Sequence, residues 1–201
     1  MKAPVEFWFD FVSPYAYIAA QSVEQLAARY EREVDWRPIL LGAVFKTTGS
    51  GPLTSRPPVM ADYFRRDFER SARFAGVPFV MPEPFPIMTQ NIARAAWWVK
   101  DTAPEKMGEF VRAATRAYFS GPAAINDAVW IATLAASLGL DGQAAAAACE
   151  DPARKEQLKQ VCEEAVSRGV FGAPWIVVDG EAFWGNDRLP QVERWLANGG
   201  F

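Results

Sequence analysis

Apolar residues first run together along this chain, then fall into a helical rhythm, and near the end alternate. Val5 to Phe11 is β-branched and aromatic with few polar interruptions, which predicts a strand buried on both faces. Pro14 occupies a favoured first helical position, and Tyr17, Ile18, Val23, Leu26 and Ala27 recur at helical spacing to about Tyr30. Val34 to Ile39 alternates and predicts a second strand, with Pro38 near its end. The opening reads β-α-β.

Beyond residue 40 the pattern changes. "LLGAVFKTTGSGPLTSRPPVM" is rich in Gly, Pro, Ser and Thr and predicts a loop. Helices are predicted over 58–75, 89–100, 105–119, 127–138, 141–148 and 152–168, the last closed by Gly169. Pro78, Pro82, Pro84 and Pro86 confine 76–88 to an extended loop. Trp175–Val178 and Glu181–Trp184 flank Asp179-Gly180, a strong hairpin signal. Gly185, Asn186 and Asp187 then form a turn and cap before a helix with Leu189, Val192, Trp195 and Leu196 on one face. Residues 1–40 and 170–201 are expected to form one α/β domain, and 41–169 a helical insertion with its connecting loops. A right-handed crossover makes the first two strands parallel, and the hairpin adds antiparallel neighbours.

Half of the 201 residues are hydrophobic, enough for a sizeable core. A net charge of -3 gives no overall attraction for nucleic acid or an anionic membrane. Lys2 and Glu6 interrupt the N-terminus before an apolar signal segment develops, and no later stretch offers about 18 uninterrupted apolar residues. A cytoplasmic protein is expected. There is no histidine, which removes Ser-His-Asp and Cys-His catalysis, histidine metal sites and imidazole acid-base chemistry. Cys149 and Cys162 are too far apart for a CxxC pair and too few for structural zinc, so no metal site is expected.

Ser13 stands where the first strand passes into the first helix. Taken alone, a serine before Pro14 is an ordinary helix cap. The order β-α-β, helical insertion, β-β-α is the plan of the thioredoxin-like fold with an inserted all-helical domain, as in its DsbA-like branch. At the place where dithiol members of that branch carry CxxC, this chain reads Ser13-Pro14-Tyr15-Ala16. "FDFVSPYAYIA" resembles the 2-hydroxychromene-2-carboxylate isomerases and the related kappa-class glutathione transferases. The resemblance extends through "RPILLGAVFKTTG", "PIMTQNIARA", "GVFGAPWIVVDG" and "FWGNDRL", in that order.

The resemblance implies glutathione as cofactor, with Ser13 as the catalytic residue that stabilises its thiolate. It implies a cis Pro174 and main-chain pairing of Ala173 with the cysteinyl part of glutathione. Asn186 and Asp187 would meet the γ-glutamyl end, and Lys46 and Asn91 a small aromatic substrate. Asn186 stands where kappa-class relatives have serine, and "SRPPVMADYF" lacks a lysine those relatives carry, so one contact to the glutathione glycine is either missing or supplied by Arg56. Trp8, Phe45, Phe85 and Trp184 are candidate lining aromatics. The implied reaction interconverts 2-hydroxychromene-2-carboxylate and trans-o-hydroxybenzylidenepyruvate, or a close aromatic analogue, in a homodimer. A kappa-like transferase or peroxidase and a non-catalytic thioredoxin-like binding module are the alternative readings.

Overall fold

The computed structural model describes residues 2–121 and 123–201, so Met1 of the expected 1–40 segment and Pro122 of the expected 41–169 insertion lie outside the described residues. Four strands form one mixed sheet in the order β2-β1-β3-β4. β1 (Val5–Phe9) runs parallel to β2 (Val34–Pro38), with Phe7 opposite Trp36. β3 (Trp175–Val178) is antiparallel to β1, and β4 (Glu181–Trp184) returns antiparallel to β3. Asp179 and Gly180 both have positive φ, at 51° and 90°, as the predicted two-residue turn requires.

The sheet is covered on both faces, which is why β1 carries no polar alternation. Phe7, Phe9 and Ile176 pack with Tyr17, Leu26 and Val192 of flanking helices. Trp8 lies in a second cluster with Ile39, Val44, Leu158 and Cys162, against which Trp175 and Val177 pack. Burying each such large side chain contributes about 1.5–3 kcal/mol.

The first helical stretch is two helices, α1 (Pro14–Ala20) and α2 (Val23–Ala28), joined by a tight turn in which the Ser22 N–H bonds Ala19 O at 3.1 Å. Between β2 and β3 come α3 (Leu41–Thr48), α4 (Pro58–Phe74), α5 (Gln90–Thr102), α6 (Met107–Ser120), α7 (Ala128–Ser137), α8 (Gly142–Ala148) and α9 (Pro152–Ser167). α10 (Leu189–Asn198) closes the chain. Asp127, Asp141 and Asp151 accept from first-turn amides of α7, α8 and α9, caps that typically contribute about 1 kcal/mol each. Among the described residues no helix is long and apolar enough to cross a membrane.

Two expectations need correction. β1 stops at Phe9 because the next residue turns the chain: the Ser13 N–H bonds Asp10 O at 3.0 Å, and the Val12 N–H bonds Asp10 Oδ1 at 3.2 Å. The segment after residue 40 is not all loop. α3 forms there because Val44 buries fully in the cluster around Trp8, and it ends where Gly49 takes φ 71° and donates to Phe45 O.

Candidate active site

Ser13 is the N-cap of α1, and its hydroxyl oxygen accepts from the Ala16 N–H at 3.2 Å. The same hydroxyl donates to Ala173 O at 3.0 Å, from the far end of the chain. The Ala173–Pro174 peptide bond is cis, as the resemblance implied. Among the described residues, the main-chain N–H groups of Tyr15 and Ala173 have no acceptor. The Tyr15 and Ala173 donors and one exchangeable hydroxyl therefore lie together beside the end of β1.

These residues open onto a cavity of about 790 Å³. One side is Val12–Tyr15, Phe171–Ala173 and Trp184, from the ends of the sheet. The other is α3 with Phe45 and Lys46, the 50–56 segment, and Phe85–Gln90. Trp184 folds over Gly172, where a Cβ would stand 2.5 Å from its indole nitrogen, and Phe171 meets Trp184 edge to face at 4.8 Å. Phe45, Phe85 and Trp184 thus line the cavity, and Lys46 and Arg56 bring two exposed cations to its mouth.

Trp8 does not line it. Its ring is fully buried under the guanidinium groups of Arg37, 4.7 Å away, and Arg168, 5.1 Å away, and its indole N–H donates to Glu6. Asn91 is also outside the cavity lining: it bonds Asn126 through both its main chain and its side chain, at 2.8 and 3.1 Å. The preceding residue, Gln90, lines the cavity instead, with a buried Oε1 that has no hydrogen-bond partner among the described residues.

Asn186 and Asp187 do not cap α10. They lie in a 3-10 turn, Asn186–Arg188, and the α10 N-cap is Arg188, whose side chain makes no cap bond. That turn packs against α1 outside the cavity lining, and the Asp187 carboxylate lies close enough to Tyr15 to act on its titration. Gly185 has φ 110°, and a Cβ there would collide with Asp187 Oδ1, so only glycine lets this carboxylate fold back. Arg188 pairs with Asp187 at 3.3 Å.

Tyr15, between Pro14 and Ala16, has a committed hydroxyl: it donates to Asp67 Oδ2 on α4 at 2.5 Å, and its ring meets Phe68 edge to face. Burial, reinforced by the Asp67 carboxylate, pushes this phenol far above its ordinary value. Of the two hydroxyl side chains at this junction, only the serine remains free to exchange its partner. Asp10 was not foreseen as a site residue; its signal was one charge inside an otherwise apolar run, and it lines the cavity nearly fully buried.

A family model for the DSBA-like thioredoxin domain matches residues 4–197. The chain belongs to that family. It is 31% identical to a 2-hydroxychromene-2-carboxylate isomerase of Sphingobium xenophagum, over 98% of this chain and 99% of the relative. It is 26% identical to glutathione S-transferase kappa 2 of Caenorhabditis elegans, over 96% of this chain and 91% of that one. A solved 2-hydroxychromene-2-carboxylate isomerase superposes with a TM-score of 0.86 at 28% identity, covering 96% of this chain and 94% of that chain. Within this family the chain has no dithiol at the α1 start: both cysteines are free and buried, on or beside α8 and α9.

Proposed function

We propose that this protein is a glutathione-dependent isomerase acting on 2-hydroxychromene-2-carboxylate and its trans-o-hydroxybenzylidenepyruvate isomer, or a close aromatic analogue. The observation that carries this reading is the buried Ser13 hydroxyl, which accepts from the Ala16 N–H of α1 and donates to Ala173 O on the wall of an aromatic-lined cavity. The donor set fits an anionic tripeptide. Ser13 and the Tyr15 N–H offer hydrogens to a sulfur anion, Ala173 offers a free N–H, and Lys46 and Arg56 are cations at the mouth. Glutathione, when bound, supplies a thiolate that adds reversibly to a conjugated double bond and so frees that bond to rotate.

The chain's own residues set the conditions for that chemistry. An ordinary thiol titrates near 8.5, so donors that favour the anion enlarge the reactive fraction at neutral pH. When Ser13 turns its hydrogen toward sulfur, Ala173 O loses its donor and becomes free to accept a ligand N–H. Ala173 then presents both main-chain groups, as an edge strand does to an added peptide. Lys46 and Arg56 supply charge for a pyruvate-type carboxylate, while Phe45, Phe85 and Trp184 offer flat apolar surface and help exclude water. Asn186 and Asp187 are assigned to the γ-glutamyl end. The reading places the protein in the cytoplasm as a homodimer, and light scattering checks its oligomeric state.

Calorimetry with reduced glutathione, followed by an absorbance assay of isomerisation, tests the proposal. Absence of glutathione binding at millimolar concentration would overturn it. The kappa-class relative favours a second reading, a transferase, which the product separates: isomerisation returns free glutathione, whereas conjugation consumes it.

A further inference from the structure

Asp10 follows directly on the first strand, is 3% exposed and forms part of the cavity wall, yet thiol activation and carboxylate binding as described make no use of it. Its carboxylate gathers donors from three walls. Oδ1 accepts from the Val12 N–H at 3.2 Å and from the Thr89 hydroxyl at 2.7 Å, and Oδ2 accepts from the Leu41 N–H at 2.8 Å. Val12 leads directly into Ser13. Leu41 opens α3, the helix that carries Phe45 and Lys46, and the α3 N-cap, Leu40, has no side-chain acceptor of its own. Thr89 is the α5 N-cap but makes no side-chain bond to that helix, because its hydroxyl is given to Asp10, and Gln90 follows it into the cavity.

A carboxylate placed this deep is costly unless every donor is well aimed. Burial pushes the Asp10 carboxyl above its ordinary value, and the Thr89, Leu41 and Val12 donors oppose that push. What the arrangement achieves is a fixed spacing among three segments: Val12 lies two residues from Asp10, whereas Leu41 and Thr89 lie 31 and 79 residues away in sequence.

We propose that Asp10 is a positioning residue, which holds the wall that activates the thiol, at Ser13, in register with the wall that grips the substrate, at Lys46 and Gln90. The inference rests on the glutathione-isomerase reading and assigns Asp10 no contact with reacting atoms. Misplacing reacting groups by about 1 Å costs up to roughly a hundredfold in rate, so loss of this clamp acts on turnover more than on the binding of either ligand.

Three variants of the full chain test it. Thr89→Val removes one donor at constant volume, Thr89→Ser keeps that donor, and Asp10→Asn sets an amide N–H against main-chain N–H groups. In the ligand-free protein, Asp10→Asn speeds hydrogen exchange at the Leu41 and Val12 amides while α9 and α10 keep wild-type protection. If Asp10→Asn does not fold, the Thr89 pair decides. Thr89→Val lowers the isomerisation kcat about tenfold, with glutathione affinity within about threefold, and Thr89→Ser restores most of the loss. A Thr89→Val kcat within twofold of wild type overturns the proposal, as does an equal loss in Thr89→Ser or an equal loss in glutathione affinity. Failure of the wild-type protein to isomerise is distinct: it overturns the functional reading, and unchanged exchange at Leu41 in Asp10→Asn then overturns the clamp separately.

Discussion

The Ser13 hydroxyl donates to the main-chain oxygen of Ala173 at 3.0 Å, joining residues 160 apart in sequence at one buried point. That bond gives the serine two tasks, capping α1 and closing on the residue before cis Pro174. Under the proposed function, a glutathione sulfur would compete for the same hydrogen. Ser13→Ala removes donor and cap together, so about 0.5–2 kcal/mol of stability is lost with the cap. The thiolate fraction of bound glutathione at neutral pH falls, its apparent thiol pKa rises, and turnover drops with it. Ultraviolet thiolate absorbance across pH, with and without protein, reads the effect; an alanine variant titrating like wild type would leave Ser13 as a cap alone.

Tyr15 predicts the opposite outcome, although it is two residues away. Its hydroxyl hydrogen is held by Asp67, so Tyr15→Phe leaves the thiolate titration unchanged while weakening the contact between α1 and α4 by about 1 kcal/mol in denaturant unfolding. A pH signature accompanies it. Burial pushes the Asp67 carboxyl upward, but hydrogen bonds from Tyr15 and Arg70 more than offset this and hold it below the ordinary value of 3.8. A depressed folded value stabilises above the unfolded pKa and is lost as pH falls through the folded one. The wild-type advantage over Tyr15→Phe therefore persists at neutral pH and shrinks below about pH 4, measurable as converging unfolding midpoints.

The four strands, their parallel and antiparallel pairing and the closing hairpin were legible because period, β-branching and Asp179-Gly180 agree on one structure. α3 was not: Gly42, Thr47 and Thr48 lower its helix propensity, and what forms it is burial of Val44 against distant residues. Asn91 was one position off. Adjacent helical residues point about 100° apart, so Gln90 enters the cavity while Asn91 turns to Asn126. Asp10 was hidden inside a strand-like run because its partners, Leu41 and Thr89, are neighbours only in the folded chain. Sequence spacing likewise gave no means of telling Trp8 in the core from Phe45 and Trp184 in the cavity.

The two thiols bear on the redox alternative. Burial pushes Cys149 and Cys162 each up to about 11, and the Leu40 N–H donates to Cys162 Sγ. Thiolate is the reactive form, so both remain inert near neutrality. Native protein should resist iodoacetamide at pH 8 and label only after unfolding, and it should lack insulin-disulfide reductase activity. Reductase turnover surviving replacement of both cysteines would require a thiol chemistry this chain has no residue to perform.

Asp187 separates ligand binding from helix capping. It makes no cap bond to α10, so Asp187→Asn should leave thermal stability nearly unchanged. Its side chain is 65% exposed and shares its charge with Arg188, which places a ligand ammonium contact near the weak end of ionic interactions, about 1 kcal/mol. Glutathione affinity should therefore fall about fivefold, with the loss diminishing as salt screens the pair. A glutathione analogue lacking the γ-glutamyl amino group supplies the control: it should bind wild type and Asp187→Asn alike. Equal weakening of glutathione and analogue by the substitution would move the γ-glutamyl site away from Asp187, toward the free main-chain donors at Tyr15 and Ala173.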